Sequence, residues 1–189
     1  VNKSTTKYPI TQEELDQAEA IAMTYSKDSD HYRVYMLLRY TGMHVCCLYR
    51  KEARIKEIGT NGHIQIKWFR PMKGKTSGVK GLWEPVSGIK KNKKIDFNVE
   101  DYYNQLVKRK RKTGNTYFYR IIREIGDRGG IELLSPNTLR HSLAVCLLEM
   151  GMPYQNVADI LGCSIRTLHK HYAKVSKKVV DKILIDAGW

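Results

Sequence analysis

Tyr172 and Arg140 are two side chains whose types could do chemistry in this sequence. A tyrosine hydroxyl can attack a phosphate and form a covalent adduct. An arginine near the start of an otherwise apolar helix, as in "SPNTLRHSLAVCLLEMG" (135–151), needs an anionic partner. The stretch around Tyr172, "LGCSIRTLHKHYAKV" (161–175), also has a second reading. A small-residue turn before a polar helix is the recognition half of a helix-turn-helix. Both readings imply DNA, and only the first implies catalysis. His44, Cys46 and Cys47 invite a metal reading, but positions i, i+2 and i+3 of one short helix do not converge. No C-x-x-C pair occurs among the four cysteines, so neither a zinc site nor a disulfide framework is expected.

These residues need elements to hold them. "PITQEELDQAEAIAMTYS" predicts a helix capped by Thr11, with Glu14 completing a capping box and Ile10 stapled to Leu15. Asp30 to Tyr40 predicts a second, capped by Asp30 and stopped by Thr41-Gly42. "MHVCCLYRKE" predicts a short third helix. The period then shortens. "ARIKEI", "HIQIKWF" and "KGLWEPV" read as strands, joined by "GTNG" (59–62) and "GKTSG" (74–78). Helices return with "FNVEDYYNQLVKRKRK", capped by Asn98, and with "NTYFYRIIREIG". The helix from Ser135 has Pro136 at N1 and ends at Gly151. Leu139, Leu143, Val145, Cys146, Leu147 and Met150 make it apolar almost all round, which predicts a central position. "PYQNVADILG", "SIRTLHKHYAKV" and "SKKVVDKILIDAGW" complete the set. The expected class is α+β, mainly α: one domain over 1–189 with a small antiparallel three-stranded sheet.

Composition narrows the partners. Net charge is +14, from 33 Lys+Arg against 19 Asp+Glu in 189 residues. Such an excess favours a polyanion, because neutralising phosphates releases counterions. The charge clusters in "KKNKK" (90–94), "KRKRK" (108–112) and "KVSKK" (174–178). Within the first, Lys90, Lys91, Lys93 and Lys94 are candidate DNA contacts, as are Arg166, His169 and Lys170 near Tyr172. No run of about 18 apolar residues exists to span a membrane. The opening "VNKSTTKYPITQEEL" lacks the apolar centre of a signal peptide, so a cytoplasmic site of action is expected.

The order of "TGMHVCCLYRKE" (41–52), the lysine-bearing hairpin 64–86 and "SPNTLRHSLAVCLLEMGMPYQNVADILGCSIRTLHKHYAKV" (135–175) resembles the catalytic domain of tyrosine recombinases, the phage-integrase family. Arg140, Cys163 and Tyr172 match its pattern at offsets of 23 and 32 residues. "RPMKGKT" and "NTLRHS" resemble archaeal and archaeal-virus members. The resemblance implies that Tyr172 attacks a DNA phosphodiester, leaving a 3′-phosphotyrosine and a free 5′-hydroxyl. Arg140 takes the place of a phosphate-binding arginine, whose planar fork suits phosphate oxygens. Lys73, or alternatively Lys75, takes the place of the hairpin lysine that protonates the leaving oxygen. Bond energy stays in the adduct, so the resemblance implies no cofactor and no metal.

The sequence departs from that pattern at three positions. His44 stands where the family has its first phosphate-binding arginine. Asn137 replaces a histidine or lysine, and Cys163 a histidine or tryptophan. One missing transition-state donor typically costs about 10²–10³ in rate. His44 offers one hydrogen bond and not a bidentate pair, and a phosphate beside it would favour its charged form. Arg39 or Arg50 could supply further charge. The family implies double-stranded DNA as partner and a tetramer on DNA, with a monomer open in its absence. It also implies a smaller N-terminal core-binding domain, expected to lie outside this sequence as in a fragment of a longer protein, and a C-terminal segment lent to a neighbour, here 179–189. Rival readings are a helix-turn-helix regulator, a catalytically impaired DNA-binding relative and a basic RNA-binding or architectural protein.

Overall fold

The computed structural model describes residues 10–49, 54–60, 63–71, 83–85, 88–108, 115–170 and 185. Six α-helices and four strands appear among them: α1 Gln12–Ala22, α2 Asp30–Thr41, β1 Ile55–Thr60, β2 His63–Pro71, β3 Trp83–Pro85, β4 Ile89–Lys90, α3 Val99–Lys108, α4 Asn115–Arg128, α5 Pro136–Glu149 and α6 Tyr154–Leu161. A 3-10 turn, Val45–Leu48, lies between α2 and β1. Residues 165–170 are helical. The fold is mainly helical with a small antiparallel sheet, as the residue patterns predict.

Cap chemistry sets where the helices begin. Thr11 accepts from the Glu14 amide at 3.2 Å while the Glu14 carboxylate accepts from the Thr11 amide at 2.8 Å, so the capping box is complete. Asn98 Oδ1 accepts from the Asp101 amide at 2.9 Å. At α5, Ser135 accepts from the Thr138 amide and Thr138 Oγ1 returns the favour, with Pro136 in the first turn. The cap of α2 corrects the expectation. Ser29 holds that position, its hydroxyl accepting from the Tyr32 amide at 3.2 Å. Asp30 is instead the acceptor for Tyr102 and Tyr117 hydroxyls, at 3.0 and 2.5 Å.

β2 is the spine of the sheet. It pairs antiparallel with β1 from Ile55↔Trp68 to Thr60↔His63, and with β3 from Phe69↔Pro85 to Pro71↔Trp83. The two-residue β4 also pairs β2, at Gln65↔Lys90 and Ile66↔Ile89, and was not anticipated. Period-2 alternation places Ile66 and Trp68 inward, both almost fully buried.

Two apolar clusters form. The larger joins α1, α2, the 3-10 turn, the sheet, α3 and α4. The smaller joins the second half of α5 to α6 and Leu168. α5 bridges them, with Leu139 in the first and Leu143 in the second. It is not apolar all round in use, however. Cys146 is exposed and Met150 is 76% exposed. α6 covers only one side of α5's second half, so the opposite side meets solvent.

Candidate functional site

α2 stops where the site begins. Thr41 Oγ1 donates to the Leu37 carbonyl at 2.6 Å and accepts from the Met43 amide at 3.2 Å. Between them Gly42 adopts φ 63°, the left-handed conformation that glycine tolerates at a helix end. A Cβ on Gly42 would lie 2.6 Å from Leu161 Cδ2 and 2.8 Å from Leu143 Cδ2. The end of α2 therefore touches α5 and the end of α6 at once.

Arg140 exploits this junction. It lies between the core residues Leu139 and Leu143 on α5, and its Nη1 donates to the Gly42 carbonyl at 2.7 Å. That carbonyl belongs to a helix C-terminus, where a cation is favoured. Burial pushes its pKa below the ordinary arginine value, and the nearby side chains of Cys163, Cys47 and Cys46 oppose that shift. Among the described residues no carboxylate pairs with it. Arg140 is thus a partly desolvated cation whose described hydrogen-bond partner is a carbonyl.

His44 stands two residues from Gly42 and is exposed. It caps the 3-10 turn, Nδ1 accepting from the Cys46 amide at 3.2 Å. An accepting Nδ1 leaves the ring proton on Nε2. His44 can then donate one hydrogen bond from Nε2 while keeping its cap. Cys46 and Cys47, on the turn, are buried, and Cys163 follows the left-handed Gly162 with its amide on the Ala158 carbonyl at 3.0 Å. Asn137 is exposed one helical turn before Arg140, on the same side of α5. His44, Arg140 and Cys163 are therefore brought to one junction. Tyr172, Lys73 and Lys75 lie outside the described residues, as does Arg50.

Arg39 does not stand in for the missing arginine by any described contact. It is only 9% exposed, with its guanidinium 5.4 Å from the Tyr40 ring centroid.

The basic run 90–94 divides in two. Lys91 Nζ donates to Glu57 Oε1 at 2.8 Å and to the Phe97 carbonyl at 2.6 Å, and Lys94 Nζ donates to Glu19 Oε1 at 2.7 Å. Those two lysines fasten a turn to β1 and α1. Lys90 and Lys93 are exposed. Arg166, His169 and Lys170 are exposed and share one side of the helical stretch 165–170, with Leu168 buried behind them. His169 also stacks on Tyr154, ring centroids 4.4 Å apart and planes 2° apart. Sequence patterns did not reveal the Gly42 carbonyl, the His44 cap or this stack. Only the helix-ending Thr41-Gly42 pair signalled the junction. Among the described residues no group of acidic, histidine and cysteine side chains is placed to hold a metal, and no helix is long and apolar enough to cross a membrane.

A family model described as "Phage integrase family" matches residues 9–178. Tyrosine recombinase XerA of Pyrococcus furiosus is 26% identical over 174 residues, covering 89% of this chain and 58% of that protein. Tyrosine recombinase XerD of Listeria monocytogenes is 38% identical over 69 residues, 34% of this chain and 23% of that protein. A crystal structure of XerA recombinase superposes with a TM-score of 0.63 at 17% identity, over 100% of this chain and 66% of that one. XerH recombinase, in a structure described as a post-cleavage complex bound to a palindromic difH substrate, superposes with a TM-score of 0.56 at 18% identity, over 93% and 52%. The chain spans less than two thirds of each of these proteins.

Proposed function

The chain belongs to the phage integrase family, and from that premise we propose that it is a site-specific DNA recombinase working through a 3′-phosphotyrosine at Tyr172. The observation that carries this reading is Arg140, fixed by the Gly42 carbonyl at the meeting of three segments and unopposed by any described carboxylate. A cation so placed is preorganised for charge that develops on a phosphate. In the proposed reaction the Tyr172 oxygen attacks phosphorus, and the 5′-oxygen leaves with a proton from Lys73 or Lys75. Arg140, the Nε2–H of His44 and the Asn137 amide donate to the non-bridging oxygens. Cys163 takes the place of a stronger donor. A 5′-hydroxyl from another strand later attacks the adduct and restores Tyr172. Atoms balance without nucleotide or metal.

Double-stranded DNA is the proposed partner, as the described XerH complex is with its difH substrate. Lys90, Lys93, Arg166 and Lys170 are the exposed cations proposed to meet its backbone, which positions the protein without specifying bases. Assembly as a tetramer on DNA, through residues 179–189, follows from the same reading. Deleting 179–189 should weaken self-association on DNA, and unchanged sedimentation of the complex would count against it. The chemistry serves integration, excision and resolution alike, in the cytoplasm where such DNA lies.

Covalent trapping tests the reading. The protein is incubated with nicked duplexes carrying candidate attachment sites and run on a denaturing gel. The expected result is a shifted band that Tyr172→Phe abolishes. A second reading, a DNA-binding relative that no longer cuts, is favoured by His44, Asn137 and Cys163 together. It is supported if salt-sensitive DNA binding persists without an adduct and His44→Arg restores the band.

A further inference from the structure

The helical stretch 165–170, which precedes Tyr172 in the chain, is fastened to the rest of the fold at few points. Leu168 is its one buried side chain and belongs to the same apolar cluster as Val157 and Leu161 of α6 and Leu143 of α5. Ser164 caps the stretch, its hydroxyl accepting from the Thr167 amide at 3.2 Å. So short a helix does not hold its own shape in water, and tertiary contacts decide its direction. One buried leucine fixes its distance from α5 and α6 but leaves it able to pivot about that point. A second contact removes that freedom. His169, at the next position round the helix, lays its ring on Tyr154, the first residue of α6, with centroids 4.4 Å apart and planes 2° apart. Two parallel rings at that separation are in face contact, and aromatic pairs stabilise beyond the area they bury.

We infer that His169 is a positioning residue for the reaction proposed above: its stack on Tyr154 sets the direction in which the chain leaves Lys170, and with it the reach of Tyr172, two residues on, towards the phosphate bound by Arg140. This role rests on the recombinase reading. The connection to Arg140 is short. Tyr154 opens α6, α6 packs on α5 through the apolar cluster that holds Leu143, and Arg140 stands three residues before Leu143 on α5. The stack therefore ties the nucleophile's segment to the frame that carries the cation. Attack at phosphorus tolerates little error, since a misplacement of about 1 Å can cost on the order of 10²-fold in rate. His169 is exposed and shares its side of the helix with Arg166 and Lys170, so residue type alone reads it as one more phosphate contact. The stack gives it a different task. One face of its ring is occupied by Tyr154, and a flat ring without charge would serve that task as well.

Two measurements on the intact chain test this, one of the fold and one of the chemistry. Amide hydrogen exchange over 165–170 should quicken about three- to tenfold in His169→Ala, the usual strength of an aromatic contact expressed as a local opening, while exchange in α5 stays as it was. His169→Phe should keep the original exchange. Unchanged exchange in His169→Ala overturns the stack as a fastening. The second measurement is single-turnover adduct formation on nicked duplexes. His169→Ala should slow the rate at saturating DNA about tenfold, with duplex affinity and its salt slope unchanged, and His169→Phe should restore it. Tyr154→Ala should match His169→Ala, and the double variant should be no slower than either, because both remove one contact. A normal rate in His169→Ala overturns the positioning role. So does a loss of affinity and salt slope that His169→Phe fails to restore, which would make His169 a DNA contact. If the unaltered chain forms no adduct while exchange responds as expected, the recombinase reading has failed, and the positioning role falls with it while the stack stands as a fastening of the fold.

Discussion

The scaffold around α1 and α2 and the junction at Gly42 use charge in opposite ways. In the scaffold the carboxylates of Glu19, Asp96, Asp30 and Glu124 are matched. Glu19 accepts from the Tyr40 hydroxyl and from Lys94, Asp96 from Tyr32 at 2.9 Å and Lys27 at 2.5 Å, and Asp30 from two tyrosines. Glu124 holds His31 at 2.6 Å, and His31 stacks on Tyr25, over which Arg128 lies. At the junction, Arg140 meets the Gly42 carbonyl and no described carboxylate. Matched charge positions a scaffold, because Glu19, Asp96 and Asp30 each fix two donors from different elements. Unmatched charge leaves a cation for a ligand to complete. A protein with net charge +14 therefore cannot be read by its total. What matters is which cations already have partners.

That contrast breaks first at Arg140. Arg140→Ala should lower the rate of adduct formation by about 10²–10³, the usual cost of one preorganised donor. Arg140→Lys should recover little, because an ammonium cannot reproduce the fork. If both variants cut normally in a single-turnover assay, the junction is structural and the contrast is lost. Gly42→Ala attacks the same junction through its backbone. It forces a side chain onto a φ of 63° and onto Leu161 and Leu143, so a loss of about 1–3 kcal/mol is expected in denaturant unfolding. The leucine methyl ends can yield somewhat, which is why the backbone term should dominate. On the scaffold side, Glu19→Ala strips the Tyr40 hydroxyl of its acceptor in a nearly buried setting, at about 2 kcal/mol. It should leave DNA cleavage by the folded fraction unchanged.

The scaffold also predicts a pH response. Lys27 and the hydrogen bond from Tyr32 hold the Asp96 carboxyl below its usual range, against a smaller opposing effect of burial. Its contribution is complete above the unfolded value of about 3.9 and is lost as pH falls below that. Tyr32, mainly through burial and then through Asp96, is pushed up to about 12. Its contribution is complete below the unfolded value of about 10 and is lost as pH rises towards the folded one. Thermal midpoints should thus be flat between these limits and fall on both sides. A midpoint that climbs through the alkaline range would contradict the Tyr32–Asp96 pair.

Much of this was legible from residue types, and the misses share a cause. Thr11–Glu14, Asn98 and Ser135–Pro136 announce helix starts because capping is local, decided within four residues. The strands around Ile66 and Trp68 follow from alternation for the same reason. Ser29 and Asp30 were exchanged because both can cap, and the choice was made by Tyr102 and Tyr117, some 70 to 90 positions away. Arg140 declared its need for a partner, but a backbone carbonyl 98 residues distant carries no residue-type signal. The lysine run 90–94 shows the same limit. Its composition suggested a uniform patch, while Glu57 and Glu19 select alternate members through tertiary contact.

That run gives the finest test of matched against unmatched charge, because the two kinds are neighbours. Lys90 is exposed on β4, and Lys91, next to it, is largely enclosed and tied to Glu57. The Glu57 oxygen that receives Lys91 also accepts the Val99 amide at 2.7 Å, so the pair joins β1 to the start of α3. Lys90→Ala should leave stability unchanged. If Lys90 meets a phosphate, it should reduce the slope of log binding constant against log salt by about one. Lys91→Ala should do the reverse: little change in the salt slope, and a fall in stability, because Glu57 is left partly enclosed without its cation. Salt titration of duplex binding beside urea unfolding separates them. Equal effects of the two substitutions on the salt slope would mean that Lys91 leaves Glu57 for DNA, and that matched charge on this scaffold is a reserve of cations and not a set of fixed ties.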